Sequence, residues 1–237
     1  MRARRLIAGR FPGESTGELA AVGMPPIPGG SLWRGLKVGL LGGSFNPAHG
    51  GHLQISLEAI KRLGLDEVWW LVSPQNPLKS PREMAPLEER LATARDMARH
   101  PRIRVSALED RLGTRHTATT LARLKQALPR TYFVWIIGAD NLVQLPSWHR
   151  WQAIVDSVPL AIMDRNHYSL KGLNGKLATR YTDNRMSDSA LKALALTPPP
   201  AWAFVTFPRH PASATELRTR RDRRANRQRH CGANKEE

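Results

Sequence analysis

The 237-residue chain has one cysteine, Cys231, set in a polar tail. A single thiol excludes an intramolecular disulfide framework and any metal site built from cysteines. The chain also lacks a run of about 18 apolar residues, so no segment reads as a membrane span. No continuous apolar stretch precedes a small-residue cleavage site near its start, so no secretory signal is read there. Together these absences point to an intracellular, cytoplasmic protein with no membrane partner. No internal repeat is evident. Acidic side chains are scarce, with 20 Asp and Glu against 36 Lys and Arg.

That imbalance is unevenly placed. Residues 1–35 hold five Arg and two Glu, and residues 218–230 hold seven Arg and one Asp. Residues 36–217 hold 23 basic and 15 acidic side chains, a moderate excess that suits an anionic ligand. The Arg-rich end reads as a solvated helix end. Nucleic-acid or membrane contact is its sharper alternative.

What is present is enough for a core, at 41% hydrophobic residues. Residues 1–35 carry Gly, Pro and scattered Arg without a period and read as a disordered basic extension. Order is expected to begin near Leu36. Short apolar runs predict strands at Leu36–Gly43, Glu67–Ser73, Ile103–Leu108, Thr131–Gly138, Val158–Met163 and Ala201–Phe207. Helical spacing predicts helices at His52–Leu63, Pro86–Arg99 and Thr117–Leu128, and a last one from Ser213. Arg165–Pro200 reads as an irregular surface excursion. Strands alternating with helices imply an α/β fold: a Rossmann-like, doubly wound parallel sheet with helices on both faces. It occupies residues 36–220, and residues 221–237 form an Arg-rich polar tail.

The most informative stretch follows the first strand: Gly42-Gly43-Ser44-Phe45-Asn46-Pro47-Ala48-His49-Gly50-Gly51-His52. Small residues let backbone N–H groups approach a ligand, and a helix N-terminus favours anions. Ligands of open α/β sheets bind beyond the carboxyl ends of the strands. Two histidines three apart at that point suit a phosphate. No Gly-Lys-Ser/Thr follows, and the glycine spacing is not that of a dinucleotide fingerprint. A zinc reading of His49 and His52 lacks a third ligand.

This stretch resembles the Gly-Gly-x-Phe-x-Pro-x-His-x-Gly-His signature of the nucleotidylyltransferase superfamily. Three further segments are similar to those of bacterial nicotinate-nucleotide adenylyltransferases. One is Ser73–Lys79. Another is Gly138-Ala139-Asp140 with Trp148, and the last is Ser213-x-Thr215-x-x-Arg218. Asn46 replaces the usual Asp, His116 the usual Tyr, and Thr119 the usual Asp. The resemblance covers residues 36–220 and implies adenylyl transfer from ATP to nicotinate mononucleotide in NAD biosynthesis. It implies His49, His52 and Arg218 as catalytic residues. ATP would be held by Gly42, Gly43, Ser44, Phe45, His49, His52, Gly138, Asp140, Ser213, Thr215 and Arg218. Asn46, Lys79, Thr117 and Trp148 would hold the acceptor. Mg2+ is the implied cofactor, carried by ATP and keeping most of its water, so no protein metal ligand is expected. The alternatives are another acceptor, nicotinamide mononucleotide or phosphopantetheine, and nucleic-acid binding by the Arg-rich tail. That last reading lacks an RNP-like motif or zinc-finger spacing, so no nucleic-acid partner is expected.

Overall fold

Lys37–Gly43 forms β1, a strand short enough to be buried along most of its length. It belongs to a computed structural model that describes residue 27 and residues 30–74, 84–164 and 175–207. Glu67–Val72 (β2) and Tyr132–Gly138 (β4) pair with β1 on either side, both parallel. Ile103–Ser106 (β3), Leu160–Asp164 (β5), Arg185–Met186 (β6) and Trp202–Thr206 (β7) complete the sheet among the described residues. Its order is β3-β2-β1-β4-β5-β7-β6, with every pairing parallel. The chain winds one way from β1 to β3 and the other way from β4 onward. The switch lies between β1 and β4, and in open α/β sheets ligands bind at such a point, beyond the carboxyl ends of the strands.

Period-two alternation divides the strand residues between two cores. Leu41, Val68, Trp70, Val72, Val134 and Ile136 point to one face. That face is covered by α1 (Gly50–Leu63) and α2 (Leu87–Met97). Val38, Leu40, Trp69, Leu71, Phe133, Trp135 and Ile137 point to the other. There α3 (Leu108–Arg111), α4 (Thr117–Ala127), α5 (Ala139–Leu142), α6 (Trp151–Val155) and α7 (Lys176–Arg180) supply the cover. Because both faces are covered, the strands read as continuous apolar runs. Among the described residues no helix is long and apolar enough to cross a membrane.

Three expectations need correction. Order begins before Leu36: Gly30–Trp33 is a turn of 3-10 helix, and Trp33 is fully buried. Its ring packs edge-on against Trp69, with centroids 5.0 Å apart, and the Arg104 guanidinium lies 5.1 Å from its centroid. Apolar area of this size outweighs the surrounding glycine and proline. The excursion at 165–200 is also less irregular than expected. A 3-10 segment, Asp188–Leu196, buries Leu191, Leu194 and Ala195 in the first core. Those three positions stand at i, i+3 and i+4, the spacing of a helix face. The expected strand to Leu108 also ends at Ser106, where α3 begins two residues later. The helix expected from Ser213 lies outside the described residues.

Candidate active site

The loop after β1 is built around one buried ring. Phe45 is almost fully buried although its φ is 45°, a left-handed conformation that costs a non-glycine residue energy. Its ring stacks on Trp70 at 5.0 Å and meets His52 at 4.7 Å. That packing holds the backbone where free chain would not stay. Gly42 has a packing reason to be glycine, since a Cβ there would meet the Trp135 ring at 2.6 Å. At Gly43 a Cβ would meet the Phe45 ring at an ordinary 3.4 Å, so space alone does not require glycine there.

His49 and His52 fix one another at the start of α1. The Gly51 N–H donates to His49 Nδ1 at 3.1 Å, and the His49 N–H donates to His52 Nδ1 at 3.2 Å. The pair is a reciprocal cap in which histidine takes the part usually played by Ser and Glu. An Nδ1 that accepts carries no proton, so each neutral ring bears its proton on Nε2. The rings stand 3.9 Å apart, with His49 buried and His52 half-buried. Below them, Ser56 Oγ donates to the His52 carbonyl at 2.9 Å and accepts from Trp70 Nε1 at 2.7 Å. No acidic residue occupies the first turn of α1, so nothing there repels an anion from its N-terminus.

Across the switch point, Gly138 ends β4 and Asp140 lies in the first turn of α5. A Cβ at Gly138 would collide with Asp140 Oδ1, so glycine gives the carboxylate its place. On the same side of the sheet, Thr117 is the first residue of α4, a helix with no acidic residue in its first turn and no side-chain cap from His116. Trp148 is half-buried against the second core and ends the 3-10 turn Leu145–Ser147. The next residue, His149, brings its ring within 4.5 Å of His116, so the segments carrying Thr117 and Trp148 meet. The fold thus gathers Gly42, Gly43, Ser44, Phe45, His49, His52, Gly138 and Asp140 about the ends of β1 and β4, with Thr117 and Trp148 flanking them. Asn46 uses its Oδ1 to accept the Ala85 N–H at 3.3 Å, tying the loop to the approach of α2. Lys79, Ser213, Thr215 and Arg218 lie outside the described residues.

Two charged residues near these ends escaped the sequence reading. Arg90 in α2 is 2% exposed. Its Nε donates to the Ala85 carbonyl at 2.9 Å, Nη1 to those of Ser44 at 2.8 Å and Ser73 at 2.7 Å, and Nη2 to that of Pro74 at 2.9 Å. Glu109 in α3 is 6% exposed. Burial pushes its carboxyl up to about 7, against hydroxyls of Ser73 and Thr120 that favour the anion. Thr120 Oγ1 in turn lies 2.8 Å from Thr114 Oγ1, and it can also reach the His116 carbonyl at 3.2 Å. In both cases the available signal was a charge on an apolar stripe: Arg90 between Leu87, Leu91 and Ala94, and Glu109 between Leu108 and Leu112.

An all-parallel sheet whose first strand feeds a histidine-capped helix at the switch point defines a nucleotide-binding α/β protein. Residues 40–220 match the cytidylyltransferase-like family. The chain is 53% identical over 189 residues to a Parvibaculum lavamentivorans protein named "Probable nicotinate-nucleotide adenylyltransferase", spanning 80% of this chain and 94% of that one. It is 50% identical over 183 residues to a Cereibacter sphaeroides protein of the same name, spanning 77% of this chain and 96% of that one. A Plasmodium falciparum nicotinic acid mononucleotide adenylyltransferase complexed with NaAD shares the fold, with a TM-score of 0.56. That likeness runs at 19% identity over 77% of this chain and 82% of the other. The chain belongs to the cytidylyltransferase-like family, and within it to the nicotinate-nucleotide adenylyltransferases.

Proposed function

We propose that the protein transfers the adenylyl group of ATP to nicotinate mononucleotide, giving deamido-NAD and pyrophosphate in NAD biosynthesis. The observation that carries the reading is the pair of histidines capping α1 at the switch point, each accepting a backbone N–H at Nδ1 and so leaving Nε2 to carry the proton of the neutral ring. The acceptor's phosphate is already an anion, so no general base and no covalent enzyme intermediate are needed. One of its oxygens bonds to the α-phosphorus of ATP as the bond from that phosphorus to the bridging oxygen of pyrophosphate breaks. The protein's task is to hold two anions together and to stabilise charge on the α-phosphate and the leaving group. The Nε2–H groups of His49 and His52 and the first N–H groups of α1 supply donors of that kind. Their Nδ1 bonds hold the rings in place beforehand, so little reorganisation is required during reaction. By resemblance, Ser213, Thr215 and Arg218 complete the ATP phosphate site and Lys79 joins the acceptor site.

Among the described residues no three His, Cys, Asp or Glu side chains cluster to form a metal cage. A hydrated Mg2+ would be held chiefly by the ATP phosphates, and the Asp140 carboxylate, exposed in the first turn of α5, is an oxygen donor of the kind its water shell accepts. Bound so, the ion would neutralise charge on the triphosphate. For the acceptor, Trp148 offers a face to the pyridine ring and the N-terminus of α4 at Thr117 offers donors to its carboxylate. An amide in place of that carboxylate would set its own N–H donors against those of the helix. Leaving a buried donor unpaired costs about 1–3 kcal/mol, so a preference of roughly tenfold to a hundredfold for the carboxylate is expected. A cytoplasmic location accords with substrates of this kind. Comparing kcat/KM for nicotinate and nicotinamide mononucleotide, with ATP and Mg2+ saturating, tests the reading. Equal values refute a carboxylate-selective site.

A further inference from the structure

Arg90 is a buried cation whose hydrogen-bond partners among the described residues are all backbone carbonyls: those of Ala85, Ser44, Ser73 and Pro74. Burying a charge is costly unless it is paired, and buried arginines are ordinarily paired with a carboxylate. Among the described residues the buried Arg104 shows the ordinary solution, with its Nε 2.6 Å from Glu67 Oε2. Arg90 differs. Four carbonyl dipoles take four of its five N–H groups, and among the described residues no carboxylate pairs with it. Burial lowers its pKa, but a guanidinium holds its proton far above neutral pH to begin with.

The position of that charge gives it a use. Ser44 belongs to the loop between β1 and the His49 cap, while Ser73 and Pro74 leave the carboxyl end of β2. Arg90 therefore joins two neighbouring strand ends at the side of the sheet where ligands bind. Ala85 opens the way into α2, and Asn46 binds its N–H while Arg90 binds its carbonyl. The loop is thus held from two directions. A cation beneath it, shielded from water, acts on a bound polyanion more strongly than a solvated one.

We propose that Arg90 is a positioning residue for the triphosphate of ATP, bracing the loop after β1 against the end of β2 and placing a fixed positive charge behind it. The proposal rests on the ATP reading above. Brace and charge separate experimentally: lysine keeps the charge and loses the four-carbonyl geometry, and methionine loses both. Binding of MgATP and of inorganic pyrophosphate is measured by calorimetry for wild type, Arg90→Lys and Arg90→Met. KM for both substrates, kcat and Tm are measured alongside. Arg90→Met is expected to weaken MgATP and pyrophosphate binding by tenfold or more while acceptor KM stays within about twofold, with Arg90→Lys intermediate. Millimolar guanidinium is expected to recover part of the lost ATP affinity. A residue with only a structural role would lower Tm and weaken both substrates alike, and that result overturns the proposal. Unchanged MgATP affinity in a folded Arg90→Met protein also overturns it. If Arg90→Met does not fold, Arg90→Lys decides by the same split between substrates. Failure of the wild type to bind MgATP at all would refute the ATP reading instead, before the variants are compared.

Discussion

Replacing Glu109 by glutamine should make the protein more stable at pH 8 than the wild type and leave the two nearly equal at pH 4. The carboxyl is 6% exposed, and burial raises it from 4.5 to about 7. Below pH 4.5 folded and unfolded chains both carry the proton, so the group contributes no pH dependence. Between 4.5 and 7 the unfolded chain has lost the proton and the folded chain keeps it. Unfolding then releases a proton, and stability falls as pH rises. Above about 7 the cost is complete. At about 1.4 kcal/mol per pKa unit, it amounts to about 3 kcal/mol. Glutamine cannot ionise, and the hydroxyls of Ser73 and Thr120 can turn to suit its amide. Urea unfolding of both proteins from pH 4 to pH 8 gives the test. The variant's advantage should grow from about zero to between 1 and 3 kcal/mol and then level off. Parallel stability curves would refute the raised carboxyl.

His52→Ala should cut kcat on the order of a hundredfold, because one preorganised donor is lost. The same change removes the acceptor of the His49 N–H, so a stability loss of about 1 kcal/mol should accompany it. Near-wild-type turnover in a folded His52→Ala protein would contradict the phosphate role. Deleting residues 1–23 should leave turnover unchanged, whereas Trp33→Ala should cost about 3–5 kcal/mol in urea unfolding, since that ring is fully buried. A stable Trp33→Ala protein would refute its place in the core.

The strands and the first phosphate loop were legible because their signals are local. Continuous apolar runs mark β1, β2 and β4, and the loop's glycines and histidines lie within eleven residues. The structure adds that Gly42 makes room for Trp135, which a local reading assigns to ligand approach alone. Trp33 was hidden among glycine and proline because a single buried ring has no period. Arg90 and Glu109 were missed for another reason. Their partners are set by the fold, with the Ser44 carbonyl 46 residues from Arg90 and the Thr120 hydroxyl 11 residues from Glu109. A charge on an apolar stripe can be read from sequence, but the oxygens that satisfy it cannot. The 3-10 segment at 188–196 carries Leu191, Leu194 and Ala195 at helical spacing, a signal too short to stand out between the polar residues before it and the prolines after it.

The central claim is that the acceptor's phosphate attacks the α-phosphorus of an ATP held at the histidine-capped loop. Following the fate of the ATP phosphates tests it most directly. The protein is incubated with Mg2+, nicotinate mononucleotide and ATP labelled either at the α-phosphate or at the γ-phosphate. The account predicts that the α-label appears in deamido-NAD and the γ-label in pyrophosphate, in equal amounts. Label from the γ-phosphate in the acceptor, or no pyrophosphate release with this acceptor, would contradict it.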